Sequence, residues 1–107
     1  AYYWFDESAK NGFIDAMVNL GVLYEKGDGA VFSREKAFQW YSKAAEKGST
    51  LGMAYLGEVY YQGRGVPKDE RKGIQLLEQA AAKKQPYAQR LLYKIDNIKY
   101  MKYRNVK

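Results

Sequence analysis

The fourteen residues Ala16 to Gly29 read AMVNLGVLYEKGDG, and they return at Gly52 to Gly65 as GMAYLGEVYYQGRG. Laying residues 13–48 on 49–84 gives eleven identities at an offset of 36 with no gap, among them Met17/Met53, Leu20/Leu56, Gly21/Gly57, Tyr24/Tyr60, Gly27/Gly63, Gly29/Gly65, Lys36/Lys72 and Ala44/Ala80. About two would be expected at average residue usage. A repeat of this length constrains the fold more than any other property of the chain. Each copy is one supersecondary unit, and it buries its apolar face only by stacking on its neighbours.

Two kinds of helix alternate within the period. The first kind is expected over 13–26, with Ala16, Met17, Leu20, Leu23 and Tyr24 at 3–4 spacing on one stripe, and again over 50–62, with Met53, Leu56 and Tyr60 inward. Gly21 and Gly57 lie inside these helices at a cost of about 1 kcal/mol each against alanine, and its repetition implies a close helix–helix approach. Gly27 suits a left-handed helix end. The second kind is expected over 34–47 and 70–84, capped by Ser33 and Asp69. Its buried faces are Ala37, Trp40, Tyr41, Ala44 and Ala45, then Ile74, Leu76, Leu77, Ala80 and Ala81. Ser49 caps the helix at 50–62, and Pro86 suits the first position of a last helix over 86–99, reaching toward 103. In that last copy Tyr93 replaces the glycine, Asp96 replaces the tyrosine, and no Gly-x-Gly follows, as suits a terminal cap.

Residues 1–12 align with 37–48 through Ala1, Trp4, Ala9 and Gly12, so the chain is expected to open partway into a helix of the second kind, as a fragment of a longer protein. The expected domain is single, 1–107. It holds a partial repeat 1–12, repeats 13–48 and 49–84, and a capping helix and tail 85–107.

Composition excludes much chemistry. There is no cysteine and no histidine, which removes thiol nucleophiles, disulfides, imidazole bases and most transition-metal sites. No apolar run approaches the roughly 20 residues needed to span a bilayer, and no signal-peptide pattern is visible. The net charge of +6 is uneven. Residues 1–82 carry ten Lys/Arg against eleven Asp/Glu (−1), and residues 83–107 carry eight against Asp96 alone (+7). Such asymmetry marks either an anionic partner or a solvated helix and tail. Gly27-Asp-Gly29 and Gly63-Arg-Gly65 follow helices and lack the further residues of a phosphate loop, so they read as turns. The acid pairs Asp6/Glu7 and Asp69/Glu70 suit a helix surface or first turn. No catalytic residue, metal or cofactor is expected.

The pattern Ala-x3-Leu-Gly-x2-Tyr-x2-Gly-x-Gly, followed by Lys-Ala-x2-Trp-Tyr-x-Lys-Ala-Ala-x-x-Gly, resembles the Sel-one-like repeat, a relative of the tetratricopeptide repeat. It is carried by Ala16, Leu20, Gly21, Tyr24, Gly27, Gly29, Lys36, Ala37, Trp40, Tyr41, Lys43, Ala44, Ala45 and Gly48, with Gly65-Val66-Pro67 and Asp69 added by the second copy. The departures are Ser33 for Asp, Gly73 for Ala, and Leu76-Leu77 for an aromatic. The resemblance implies an all-α fold, a right-handed α/α superhelix of antiparallel helix pairs, with about six helices here. It also implies a non-catalytic scaffold that binds other proteins. Many relatives are bacterial, and some are exported, periplasmic or involved in host contact or secretion-system immunity, so the resemblance implies a bacterial periplasm or cytoplasm. The alternative function is therefore an immunity or inhibitor protein that occludes an enzyme.

Carried over from tetratricopeptide repeats, a concave binding groove would be lined by Asp15, Val18, Val22 and Glu25, then Leu51, Ala54, Glu58 and Tyr61, then Tyr87, Arg90, Lys94 and Asn97. Its polarity runs from acidic–apolar to basic, so the expected guest is a peptide or helix with its acidic end at Arg90 and Lys94. Tyr55, Tyr61, Tyr87, Tyr100 and Tyr103 lie outside the repeat core positions and are interface candidates, since tyrosine is enriched at interfaces. Nucleic acid is not expected as a partner. Tyr2, Trp4 and Phe5 belong to a helix whose upstream neighbour is missing, and they are expected to form an apolar patch covered by upstream repeats of the full protein or, through self-association, by another copy of the chain.

Overall fold

The computed structural model describes residues 14–27 and 33–106. Its elements are α1 (Ile14–Lys26), α2 (Arg34–Glu46), α3 (Thr50–Gln62), α4 (Glu70–Ala82), α5 (Pro86–Ile95) and a 3-10 turn at Met101–Tyr103. No strand occurs among the described residues. Each helix packs on the next in sequence, and the stack measures 44 × 25 × 21 Å. The expected sixth helix, with the patch at Tyr2, Trp4 and Phe5 and the acids Asp6 and Glu7, lies outside the described residues.

The two copies are tied by the same bonds one period apart. Ser33 Oγ accepts from the Lys36 N–H, and Asp69 Oδ1 accepts from the Lys72 N–H, each at 3.1 Å. The Ser33 N–H donates to the Tyr24 carbonyl and the Asp69 N–H to the Tyr60 carbonyl, each at 2.8 Å. The Lys36 ammonium lies over the Tyr24 ring and the Lys72 ammonium over the Tyr60 ring, at 5.2 and 4.7 Å from the centroids. The carbonyl bond and the cation–ring contact close the first helix of each pair onto the cap of the second. Serine at 33 caps as well as aspartate at 69, because either oxygen satisfies a free N–H of the first turn. Gly27 and Gly63 end α1 and α3 with φ of 72° and 70°, the left-handed geometry that lets their N–H groups reach back to Leu23 and Val59.

The core is divided along the stack. Met17, Val18, Leu20 and Ala44 form one cluster; Ala37, Tyr41, Leu56 and Val59 form a second; Ala54, Leu77, Ala80, Ala81, Ala88, Leu92 and Tyr100 form a third. No single interior serves the whole molecule, as expected where each unit touches only its neighbours. Of the expected stripes, Ala16, Leu23, Tyr24, Ala45, Met53, Tyr60, Ile74 and Leu76 are half-buried rather than enclosed. Trp40 is also half-buried, its ring covered by the Lys43 ammonium at 4.8 Å.

The interior glycines mark close contacts. The Tyr41 ring lies against Gly21 in the first pair. In the second pair Gly57 and Gly73 face each other. A Cβ at Gly73 would stand 2.6 Å from the Gly57 carbonyl oxygen, and one at Gly57 would stand 2.8 Å from that of Gly73. The departures at Gly73 and Leu77 therefore belong together. Leucine in place of the tyrosine at 41 removes the bulk that separates the helices, and glycine in place of Ala37 lets the backbones meet.

The last helix is shorter than the expected 86–99. It ends at Ile95, with Asp96 extended at φ −149°. Asp96 Oδ1 accepts from the Lys99 N–H at 3.0 Å and its carbonyl accepts from the Tyr100 N–H at 3.0 Å. The aspartate starts a new turn instead of prolonging the old helix, a competition that short polar side chains often win.

Candidate interaction face

Three tyrosines form a ladder across α2, α3 and α5. Tyr41 of α2 stacks on Tyr55 of α3, with centroids 5.0 Å apart and planes 12° from parallel, and Tyr55 meets Tyr87 of α5 at 5.0 Å and 41°. Tyr41 is fully buried while Tyr55 and Tyr87 are half-buried. Offset aromatic contacts of this kind contribute beyond the area they bury.

The hydroxyls at the ends of the ladder are held by carboxylates. Tyr41 Oη donates to Glu25 Oε1 at 3.0 Å, and Tyr87 Oη donates to Glu58 Oε1 at 2.8 Å. Arg64, from the loop after α3, lies between the two acids. Its Nη2 donates to Glu58 Oε1 at 3.4 Å, and its buried Nε stands 3.1 Å from Glu25 Oε2 without the alignment of a hydrogen bond. The cluster thus joins α1, α2, α3 and α5 through one cation. Burial, reinforced by the neighbouring carboxylates, raises the proton affinity of Tyr41, Tyr55 and Tyr87 above that of a free phenol, and Arg64 only partly opposes this. The Tyr41 and Tyr87 phenols are fixed donors rather than acids or nucleophiles near neutral pH.

Beyond the ladder, a cavity of about 330 Å³ opens between α3 and α5. It is lined by Glu58, Tyr61, Gln62, Leu77, Leu91, Lys94 and Ile95. The cavity brings together Glu58, Tyr61 and Lys94 of the expected groove. Tyr87 and Glu25 join the ladder network instead, and the exposed Arg90 lies with its guanidinium 5.9 Å from the Tyr87 centroid. Val22 and Leu51 are half-buried and pack against the core clusters.

Other expected positions fall elsewhere. Val18 is 3% exposed and Ala54 0% exposed, so both belong to the core beneath this face. The 3–4–3 spacing that selected them ignores how closely the neighbouring helix approaches. Asn97 lies past the end of α5, in the turn that Asp96 begins. Asp15 lies on α1, its side chain outside the described set. Tyr100, an interface candidate by sequence, is only 6% exposed; it seals Ala88 and Leu92, and its hydroxyl donates to Glu78 Oε2 at 2.7 Å. Tyr103 stacks on it at 6.3 Å. Of the acid pairs, Asp69 caps α4 and Glu70 pairs with Lys68 at the exposed surface.

Sequence reasoning missed Tyr41 and Arg64 as members of this face. Tyr41 sits at a repeat core position, and nothing in the pattern shows its hydroxyl reaching across to α1. Arg64 lies between two turn glycines, where the preceding copy has Asp28; that sign reversal is the only trace of its role.

Helix pairs at a fixed period and segmented cores define an α/α repeat solenoid. The Sel1 repeat family matches residues 1–13, 14–49 and 50–84, and the chain belongs to that family. It is similar to the crystal structure of a Sel1 repeat protein from Oxalobacter formigenes, at 35% identity and a TM-score of 0.78 over 86% of this chain. It is also similar to a protective antigen present in uropathogenic Escherichia coli strains, which displays an SLR fold, at 32% identity and a TM-score of 0.77 over 82% of this chain. The chain spans only 38% and 19% of those two chains. No curated protein gives a significant match. Sel1 repeats mediate protein–protein interactions, and the fold is generally a non-catalytic scaffold. No described helix is long and apolar enough to cross a membrane.

Proposed function

We propose that this chain is a non-catalytic scaffold that seats a peptide or helix of another protein along the face of α1, α3 and α5. One observation carries the reading. The ladder Tyr41–Tyr55–Tyr87 is locked at both ends by Glu25, Glu58 and Arg64. It presents half-buried aromatic surface that a guest need not order on binding, and preorganisation of that kind lowers the cost of association. Arg90 and Lys94 stand exposed at the α5 end, where an acidic stretch of the guest would dock.

The test uses a partner recovered from the native source and then purified. Tyr87 buttresses Glu58, so the test variant leaves it intact and combines Tyr61→Ser, Arg90→Glu and Lys94→Glu. Binding by titration calorimetry should fall by about a hundredfold or more, with helicity by circular dichroism unchanged. Wild-type affinity in the triple variant would reject the face. A partner enzyme whose turnover stops on binding would identify the chain as an inhibitor acting through the same surface; continued turnover would identify an adaptor.

A further inference from the structure

The repeat register assigns a meaning to the cavity between α3 and α5. Leu77 stands one period after Tyr41, and Leu91 one period after Tyr55. In the preceding copy those two positions hold a stacked ring pair 5.0 Å apart. In the next copy both are leucines, and both line the cavity of about 330 Å³. The same shift turns Glu25, which receives the Tyr41 hydroxyl, into Tyr61, so the polar group that fixed the ring is also gone. The space is therefore bounded by Leu77, Leu91 and Tyr61 where the register of the preceding copy places the Tyr41–Tyr55 stack and Glu25. Its volume lies at the lower end of the ligand-pocket range of about 300–1,000 Å³, which suits one side chain better than a cofactor.

The charge at the rim has a definite sign. Glu58 is already engaged by the Tyr87 hydroxyl and the Arg64 guanidinium. Lys94 is exposed and has no ion-pair or hydrogen-bond partner among the described residues. Arg90, one turn earlier on α5, adds a second exposed cation.

We infer that this cavity is a specificity pocket for an aromatic side chain of the partner, flanked in the partner's sequence by carboxylates that meet Lys94 and Arg90. The inference rests on the scaffold reading and adds to it what the guest must carry. The guest ring packs against Leu77 and Leu91 beside Tyr61, and the flanking acids neutralise a rim that Glu58 no longer balances.

The probes are short capped peptides: Glu-Glu-Phe-Gly, its alanine analogue Glu-Glu-Ala-Gly and its neutral analogue Gln-Gln-Phe-Gly. The phenylalanine peptide should shift the methyl resonances of Leu77, Leu91 and Ile95. The alanine analogue should bind about tenfold more weakly or not at all, and the neutral analogue several-fold more weakly. Leu91→Tyr returns the ring of the preceding copy and should abolish binding with the thermal midpoint retained. Ile95→Phe closes the same space from α5 and provides the measurement if Leu91→Tyr fails to fold. Equal affinity for the phenylalanine and alanine peptides, or full affinity in a folded cavity-filled variant, would overturn the pocket. Methyl shifts that grow with protein concentration alone would also overturn it, by showing a second copy as the occupant. If Leu91→Tyr leaves capture of the native partner intact while the Tyr61–Arg90–Lys94 variant loses it, the pocket fails and the scaffold face stands. If both variants capture normally, both readings fail.

Discussion

Arg64 is the residue on which the interaction face depends most. It spans two carboxylates from different repeats, with its side chain only 25% exposed and those of Glu25 and Glu58 18% and 13%. Removing it leaves two part-buried acids facing each other, and an uncompensated group of this kind costs about 1–3 kcal/mol. Arg64→Met should therefore lower stability in urea by that amount, and Arg64→Lys should recover only part of it, because one compact ammonium replaces the separate Nε and Nη2 that face the two acids. A second residue-scale outcome concerns Gly73. Alanine there gains about 1 kcal/mol of helix propensity, but its Cβ meets the Gly57 carbonyl and the Tyr61 N–H, which are backbone and cannot turn aside. Overpacking of this sort costs about 1–3 kcal/mol, so Gly73→Ala should be net destabilising; an unchanged urea midpoint would remove the close crossing as the explanation for that glycine. Titration gives a third. Burial, with the hydrogen bond to Glu78, pushes Tyr100 from 10.0 up to about 12. The folded chain holds this proton more tightly than the unfolded chain does. Its contribution is thus complete below pH 10 and is lost as pH rises from 10 to about 12. Stability should fall over that window by at most about 1.4 kcal/mol per pH unit for this tyrosine, and Tyr100→Phe should flatten the slope. At this scale the sequence was least legible. Tyr41 and Arg64 carry the network, yet one is disguised as core and the other as loop, because a side chain's reach across helices leaves no periodic signature.

The helices and their ends were far more legible, since caps are local chemistry. Ser33, Ser49 and Asp69 each receive the expected backbone donor, and Pro86 opens α5 as its missing N–H allows. The exception is the end of α5, where counting apolar positions suggested a longer helix and Asp96 diverted the chain. One helix end carries strain that the repeat exposes. Gly48 follows α2 at φ 94°, and the Ser49 N–H returns to the Ala44 carbonyl at 2.9 Å. One period on, Lys84 takes the same place at φ 67°, and the Gln85 N–H returns to the Ala80 carbonyl at 3.1 Å. The left-handed conformation costs a residue bearing a Cβ roughly 1–2 kcal/mol, partly offset because glycine loses more freedom on folding. Lys84→Gly should accordingly stabilise the chain by about 0.5–1 kcal/mol, and Gly48→Ala should destabilise it by a similar amount. Denaturant midpoints of both variants decide this; a loss of stability in Lys84→Gly would mean that the lysine side chain supports the turn in a way its backbone does not show.

At the scale of the molecule, a divided core implies unequal local stability. The α3–α4 pair is flanked by a helix on each side and contributes Ala54, Leu77, Ala80 and Ala81 to the largest cluster, whereas α5 is held from one side, by α4 and α3, and closed by Tyr100. Amide exchange should be slowest in α3 and α4 and faster in α5, because local opening follows the number of packed neighbours. Uniform protection across the five helices would instead mean that the chain unfolds as one unit. The stacking itself was legible from the 36-residue period, but the position of the interaction face within it was only partly so. The spacing rule gathered Glu58, Tyr61 and Lys94 around one cavity, yet it also selected Val18 and Ala54, which the closeness of the neighbouring helix buries. The closing turn has a further consequence, for anyone building with this chain. Tyr100 occupies the ledge of Ala88 and Leu92, and it is fastened to Glu78 on the preceding helix. Idealised repeats joined after Val106 would have to evict that tyrosine before they could seat, whereas repeats spliced in from Pro86 onward would inherit an open ledge. Arrays lengthened by the second route should gain melting temperature with each added unit, and arrays lengthened by the first should behave as two separately melting pieces on a tether.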